Sequence, residues 1–179
     1  MTAALALNYA SEAVAQPTKS PIPSHAEQID GYPFPKSIAG LLRGQRTDYD
    51  EPGLGFSVRY ERPGETWADI FIYDLGESLS SVNARKMSLD QRDAALRDID
   101  HGVSSGSYQN AALVAKSETT SYAKAHVAIT QGGKTRDSYV FVTIHKGNFI
   151  KIRLTTAADN ADELASRFAS EYARIIGRK

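Results

Sequence analysis

The spacing of apolar and polar positions changes several times along the chain. "GFSVRYE", residues 55–61, alternates: Phe56, Val58 and Tyr60 point one way, Ser57, Arg59 and Glu61 the other. That is the period of a half-buried strand. "RPGE" follows, with Pro63 and Gly64 at the centre of a type II turn, and "WADIFIYDL" returns as the second strand of a hairpin. "SLDQRDAALRDIDHG" switches to helical spacing. Leu89, Leu96, Ile99 and Val103 share one face, and Arg92, Asp93, Arg97 and Asp98 point outward. Ser88 and Gln91 have capping-box spacing, and Gly102 closes the helix. "ALVAKSETTSY" reads as a further strand. The last helix is capped by Asn160, with Glu163 three residues on. Its stripe is Leu164, Phe168, Tyr172, Ile175 and Ile176, and Gly177 ends it.

Residues 123–155 hold three strand patterns: "KAHVAITQ", "DSYVFVTIH" and "NFIKIRLTT". A two-residue Gly132-Gly133 turn pairs Gln131 with Lys134, which sets Ala125 across from Val140 and His126 across from Tyr139. Ala125, Val127, Ile129, Val140, Val142 and Ile144 then share a face that receives the helices. For the next turn, a two-residue Lys146-Gly147 loop would set Val142 opposite Lys151. A three-residue loop, Lys146-Gly147-Asn148, instead sets Ile144 opposite Ile150, Val142 opposite Ile152 and Val140 opposite Leu154. Because a one-residue slip flips every side chain, apolar matching selects the longer loop.

With that register the reverse face carries Lys124, His126, Tyr139, Phe141, Lys151 and Arg153, together with Thr143, His145, Phe149 and Thr155. It is aromatic and basic. Two readings stand. It is a binding surface for an anionic or sugar-like ligand, or it lies under a second layer, with the strap or another helix over the rings and the cations snorkelling.

Six of the seven prolines fall between Pro17 and Pro52. Proline fixes φ and lacks a donor, so residues 16–50 read as an extended tether or strap, not a central strand. Within it "GYPFPKSIAGLL" is the docking part, since Tyr32, Phe34, Ile38, Leu41 and Leu42 need cover. Residues 51–179 form a single α+β domain. Residues 1–15 read as an export-signal remnant: an alanine-rich start, then the small-x-small Ala13-Val14-Ala15 before Gln16. The expected location is periplasmic or secreted, with cytoplasmic as the alternative.

Composition narrows the chemistry. Lysine plus arginine equals aspartate plus glutamate, 21 each, so the global balance attracts neither nucleic acid nor anionic lipid. There is no cysteine, which removes disulfides, thiolate catalysis and cysteine-bound metals. No apolar run is long enough to span a membrane.

Three motifs resemble catalytic or ligand signatures. "GVSSG", residues 102–106, matches the nucleophile elbow, but that elbow needs a strand before the serine and a helix after it, and here a helix precedes. "GGKT", residues 132–135, resembles the end of a phosphate loop, but Ala128 stands where the first glycine is needed. His126 and His145 lie about six residues apart along paired strands, roughly 20 Å, too far to share a metal. No catalytic residue, metal site or cofactor is expected.

The approach "PGLGFSVRY" and the close "YVFVTIHKGNFIKIRLTT" followed by an amphipathic helix resemble the PsbP-like α+β sandwich over residues 52–179, with Trp67 near that family's tryptophan. The resemblance implies an antiparallel sheet packed against helices and a non-enzymatic accessory or adaptor role. The expected fold is therefore α+β, an antiparallel sheet of about five or six strands packed against a mid-chain helix and a C-terminal helix. The expected function is a small extracytoplasmic, non-catalytic binding module for an unknown protein or small anionic ligand. The alternative is an enzyme in which Lys151 and Arg153 hold an anionic substrate and His126 is the base.

Overall fold

The computed structural model describes residues 16–64, 66–79 and 81–177. The export expectation for residues 1–15 lies outside them. The strands are β1 (Thr18–Ser20), β2 (Gln28–Ile29), β3 (Tyr32–Pro33), β4 (Ser37–Ile38), β5 (Leu41–Asp48), β6 (Phe56–Arg62), β7 (Thr66–Tyr73), β8 (Asn110–Glu118), β9 (Ala123–Gln131), β10 (Lys134–His145) and β11 (Asn148–Thr156). Helix α1 (Ala84–Ser104) lies between β7 and β8, and α2 (Ala161–Ile176) closes the chain. The fold is α+β. One antiparallel sheet of nine strands runs β1-β5-β6-β7-β11-β10-β9-β8, with β4 beside β5, and β2 and β3 form a separate hairpin.

The sheet has more strands than expected because the proline-rich segment contributes some of them. Between Lys36 and Glu51 that segment holds no proline, so its backbone donors are intact, and there β5 pairs with β6. Between Pro17 and Pro21, β1 adds the sheet edge beside β5, and the part around Phe34 packs over the sheet. Phe34 is fully buried against Phe56 and Tyr172, Tyr60 donates its hydroxyl to Pro35 O at 2.8 Å, and Ala39 N donates to Glu171 Oε2 at 3.0 Å. The Arg43 guanidinium donates to the carbonyls of Pro23, Ala26 and Phe34.

The two helices lie on opposite faces. Leu164, Phe168 and Tyr172 of α2 are buried on Tyr60, Ile70, Phe141, Ile150 and Ile152. Each such large apolar side chain contributes about 1.5–3 kcal/mol by leaving water. Ile99 and Ala95 of α1 are buried on Ala125, Val127, Ile129, Val140 and Val142. Ser88 lies inside α1 rather than at its start, and its Oγ bonds back to Ala84 O at 2.7 Å. Arg92, expected outside, is 8% exposed and pairs with Asp93 at 2.9 Å. Gly102 is also internal to α1. Its hydrogen lets the edge of the Tyr108 ring approach closely, since a Cβ there would lie 2.7 Å from Tyr108 Cε2.

The β9–β10 register is the expected one, with Gln131 across from Lys134, His126 from Tyr139 and Ala125 from Val140. The β10–β11 register differs by one residue. His145 pairs with Asn148 across a two-residue Lys146-Gly147 turn, so Val142 faces Lys151, Val140 faces Arg153, and Phe141 faces Ile152. Lys146 at φ 51° and Gly147 at φ 75° both take the left-handed conformation a type I′ turn requires. Matching apolar faces failed because the apolar surface changes sides. α1 covers β8, β9 and β10, while on β11 the apolar residues Ile150, Ile152 and Leu154 turn to the α2 side. Among the described residues, no helix is long and apolar enough to cross a membrane.

Candidate binding face

The six residues expected on one surface are divided between two. Lys124, His126, Tyr139 and Phe141 lie on the α2 face, and Lys151 and Arg153 lie on the α1 face. The α2-side group is covered: Tyr139 and Phe141 are each 1% exposed. Lys124 Nζ pairs with Asp162 of α2 at 2.6 Å and reaches Ser166 Oγ at 3.3 Å. His126 Nε2 meets Asp137 Oδ1 at 2.6 Å, and its ring stacks on Tyr139 at 4.3 Å. Burial pushes the Tyr139 phenol up to about 12, and Asp137 and Asp162 add to the shift. The Lys124 contacts fasten α2 to the sheet, and those of His126 join β9 to β10. A single site combining His126 with Lys151 and Arg153 is not formed, because the sheet separates them.

The α1 face is only half covered. α1 lies over β8–β10, and Gln91 Nε2 donates to Tyr73 Oη at 2.9 Å at its border. Beyond that border the strand alternation of β6, β7 and β11 presents a different set of side chains. Across the strands, Arg59 stands beside Asp69 and Asp69 beside Arg153, and in the next row Ser57, Phe71 and Lys151 line up. Trp67 and Thr155 form a third row.

Cations on this half lie over rings. Lys151 Nζ is 4.6 Å from the Phe71 centroid and 5.4 Å from that of Tyr73. Arg153 lies 5.5 Å from the Tyr108 ring, and its Nη2 donates to Tyr108 Oη at 2.8 Å. Arg136 lies 5.8 Å from the Trp67 ring. Tyr49 stacks on Phe71 at 6.1 Å and shares a hydrogen bond with Ser57 Oγ at 3.1 Å. Such pairs place a cation against the negative face of the ring quadrupole.

Charge is balanced unevenly. Arg59 and Asp69 form a two-point ion pair, 2.9 Å and 2.7 Å, which holds the guanidinium above its ordinary range. Lys151 makes no ion pair with any described carboxylate. Burial lowers its amine below the ordinary lysine value; Asp98 on α1 opposes that shift and Arg153 adds to it. The arrangement can hold an anion or a flat apolar group. Among the described residues, no group of three His, Asp or Glu side chains converges as for a metal.

Lys151 and Arg153 were singled out from the sequence, whereas Trp67, Phe71, Tyr108 and the Arg59–Asp69 pair were not. "TWADIFIY" carried the signal: Ala68, Ile70 and Ile72 on one side leave Trp67, Asp69, Phe71 and Tyr73 on the other. The serine-rich "GVSSG" spans the end of α1 and the turn after it, and "GGKT" is the β9–β10 hairpin.

No protein-family model and no curated protein matches the chain. In three dimensions it is similar to the solution structure of cyanobacterial PsbP (CyanoP) from Synechocystis sp. PCC 6803, at 16% identity over 90% of this chain and 92% of that one, with a TM-score of 0.48. The likeness is one of fold.

Proposed function

We propose that the chain is a non-catalytic binding module that docks a partner on the uncovered half of the α1 face. One observation carries this reading: Lys151 over Phe71, Arg153 over Tyr108 and Arg136 over Trp67 occupy neighbouring positions at and beyond the border of α1. Arginine, tyrosine and tryptophan are the residues in which binding energy concentrates at protein interfaces. Half-buried rings are also partly desolvated and pre-ordered, so docking them costs little side-chain entropy.

The test is photo-crosslinking in cells producing the protein, with the photoreactive residue at position 67 or 71, or at position 166 on α2. A discrete adduct from 67 and 71 that is lost on combining Lys151→Glu with Arg153→Glu supports the reading. Equal adducts from position 166, insensitive to those changes, defeat it.

The extracytoplasmic location is part of the same proposal and is motivated by Ala13-Val14-Ala15 ahead of Gln16. Mass spectrometry of the mature native protein is expected to find Gln16, or a residue near it, at the amino terminus. Met1 on material from the cytosolic fraction would contradict it.

A further inference from the structure

We infer that the group this face receives is a run of carboxylates on an extended acidic peptide, seated on Lys151 and Arg153. The inference rests on the docking reading above and names its chemistry. Lys151 and Arg153 are alternate residues of one strand, so both project to the same side about 6–7 Å apart. An extended peptide with an acidic residue at every second position presents carboxylates at that same repeat.

The charges facing the pair leave it short of anions. Asp69 stands across from Arg153 but is engaged by Arg59 at both oxygens. Arg153 itself donates to Tyr108 Oη at 2.8 Å and to Ser138 Oγ at 3.4 Å, both neutral groups. Asp98 acts on Lys151 only at a distance, with no contact within ion-pair range among the described residues. An incoming carboxylate therefore meets two cations already held in place, in surroundings of lower polarity than open water, where the attraction is stronger.

The same census selects a peptide over a broader polyanion. Asp69 stands beside Arg153, Asp98 acts on Lys151, and Glu61 lies further out on the same face, across from Trp67, so the basic spot is no wider than two residues of β11. A nucleic-acid backbone or an anionic bilayer needs a wide basic surface, and these carboxylates would oppose it.

The probe is a synthetic peptide with glutamate at alternate positions. The readout is fluorescence of Trp67, the chain's single tryptophan, which lies on this face. The controls are a peptide of the same composition with contiguous glutamates, and inorganic phosphate. Lys151→Met and Arg153→Met are each expected to weaken binding about tenfold or more, the worth of one charge-assisted contact. Lys124→Met, on the opposite face, is expected to leave it unchanged. Each variant is first checked for a native thermal transition. If one fails to fold, the shift of the Lys151 side-chain amine signal on titrating the unmodified protein decides instead. Equal binding of the variants and the parent, or no movement of that amine, overturns the inference. So does phosphate competing as well as the alternating peptide, which would make the pair a general anion site. Should the peptide fail to bind while crosslinking at positions 67 and 71 still depends on Lys151 and Arg153, the carboxylate assignment is lost and the docking reading stands.

Discussion

Val142 lies directly across from Lys151, an apolar residue beside a charged one on the same face of the sheet. The border of α1 passes between them. Val142 is fully buried in the core beneath the helix, while the Lys151 amine reaches past the helix onto the Phe71 and Tyr73 rings. The pair marks the line where the sheet stops being core and becomes surface.

This pairing can be tested directly because the chain has no cysteine. Val142→Cys combined with Lys151→Cys is expected to be bridged by oxidation or by a one-carbon thiol crosslinker. Val142→Cys with Ile152→Cys is not, since Ile152 points to the opposite face. Efficient bridging of the second pair, with none of the first, would return the register to a three-residue loop.

Gly102 positions Tyr108. Gly102→Ala places a methyl 2.7 Å from the Tyr108 ring edge, so the ring must move or α1 must shift. The expected cost is about 1–3 kcal/mol, as for overpacking elsewhere. Displacing Tyr108 also removes the acceptor for Arg153 Nη2. Chemical denaturation of Gly102→Ala and Tyr108→Phe separates the two effects: the second keeps the ring and loses only the hydroxyl. A fully native Gly102→Ala would show that the contact is not restrictive.

The lowered amine of Lys151 makes stability depend on alkaline pH. Above its folded-state value but below about 10.4, the unfolded chain holds the proton and the folded chain does not. The unfolded state then binds more protons, so the Lys151 contribution to stability rises with pH through that window, while above about pH 10 the buried tyrosines, Tyr73 and Tyr139 among them, act in the opposite direction. Urea denaturation from neutral to alkaline pH is expected to show this rise, and Lys151→Met is expected to abolish it. An identical slope in both proteins would remove Lys151 as its source.

His145 acts at the other end of the scale. Burial, aided by Lys146, holds its imidazole below the ordinary value of 6.5. As pH falls through 6.5 toward the lowered value, the unfolded chain takes up a proton first and stability drops. His145→Gln is expected to flatten that part of the acid limb. No change in its slope relative to the parent would exclude His145 as a contributor.

Arg43 fixes the proline-rich segment. Its guanidinium donates to carbonyls of Pro23, Ala26 and Phe34, so one side chain ties the Pro23–Ala26 turn to the residue after β3. Arg43→Met leaves those acceptors to solvent or unpaired, at a cost on the order of 1–3 kcal/mol. Limited proteolysis is expected to cut within residues 21–31 of the variant before the parent. Equal cutting rates would show that Phe34 and Ile38 anchor the segment without it.

The candidate face is half legible in the strand patterns. Lys151 and Arg153 stand out as cations alternating with isoleucine and leucine, but neither says which sheet face it occupies. His126 beside Tyr139 follows from the Gly132-Gly133 hairpin alone, because that turn fixes a local register. Tyr108 over Arg153 joins residues 45 apart in sequence, and no local period reports it.

By itself the sequence determined the class α+β, the β6–β7 hairpin, the β9–β10 register and the two amphipathic helices. Each rests on contacts between near neighbours, or on a repeat of two or 3.6 residues, so the information is local. Only the tertiary structure decided that α1 and α2 take opposite faces, and that the segment after Lys36 supplies β5. It alone also decided that Lys146 accepts a left-handed backbone, so that Lys151 and Arg153 part from His126. The reason is burial: which side of β11 is core depends on where each helix ends its cover, and that is set by elements far away along the chain.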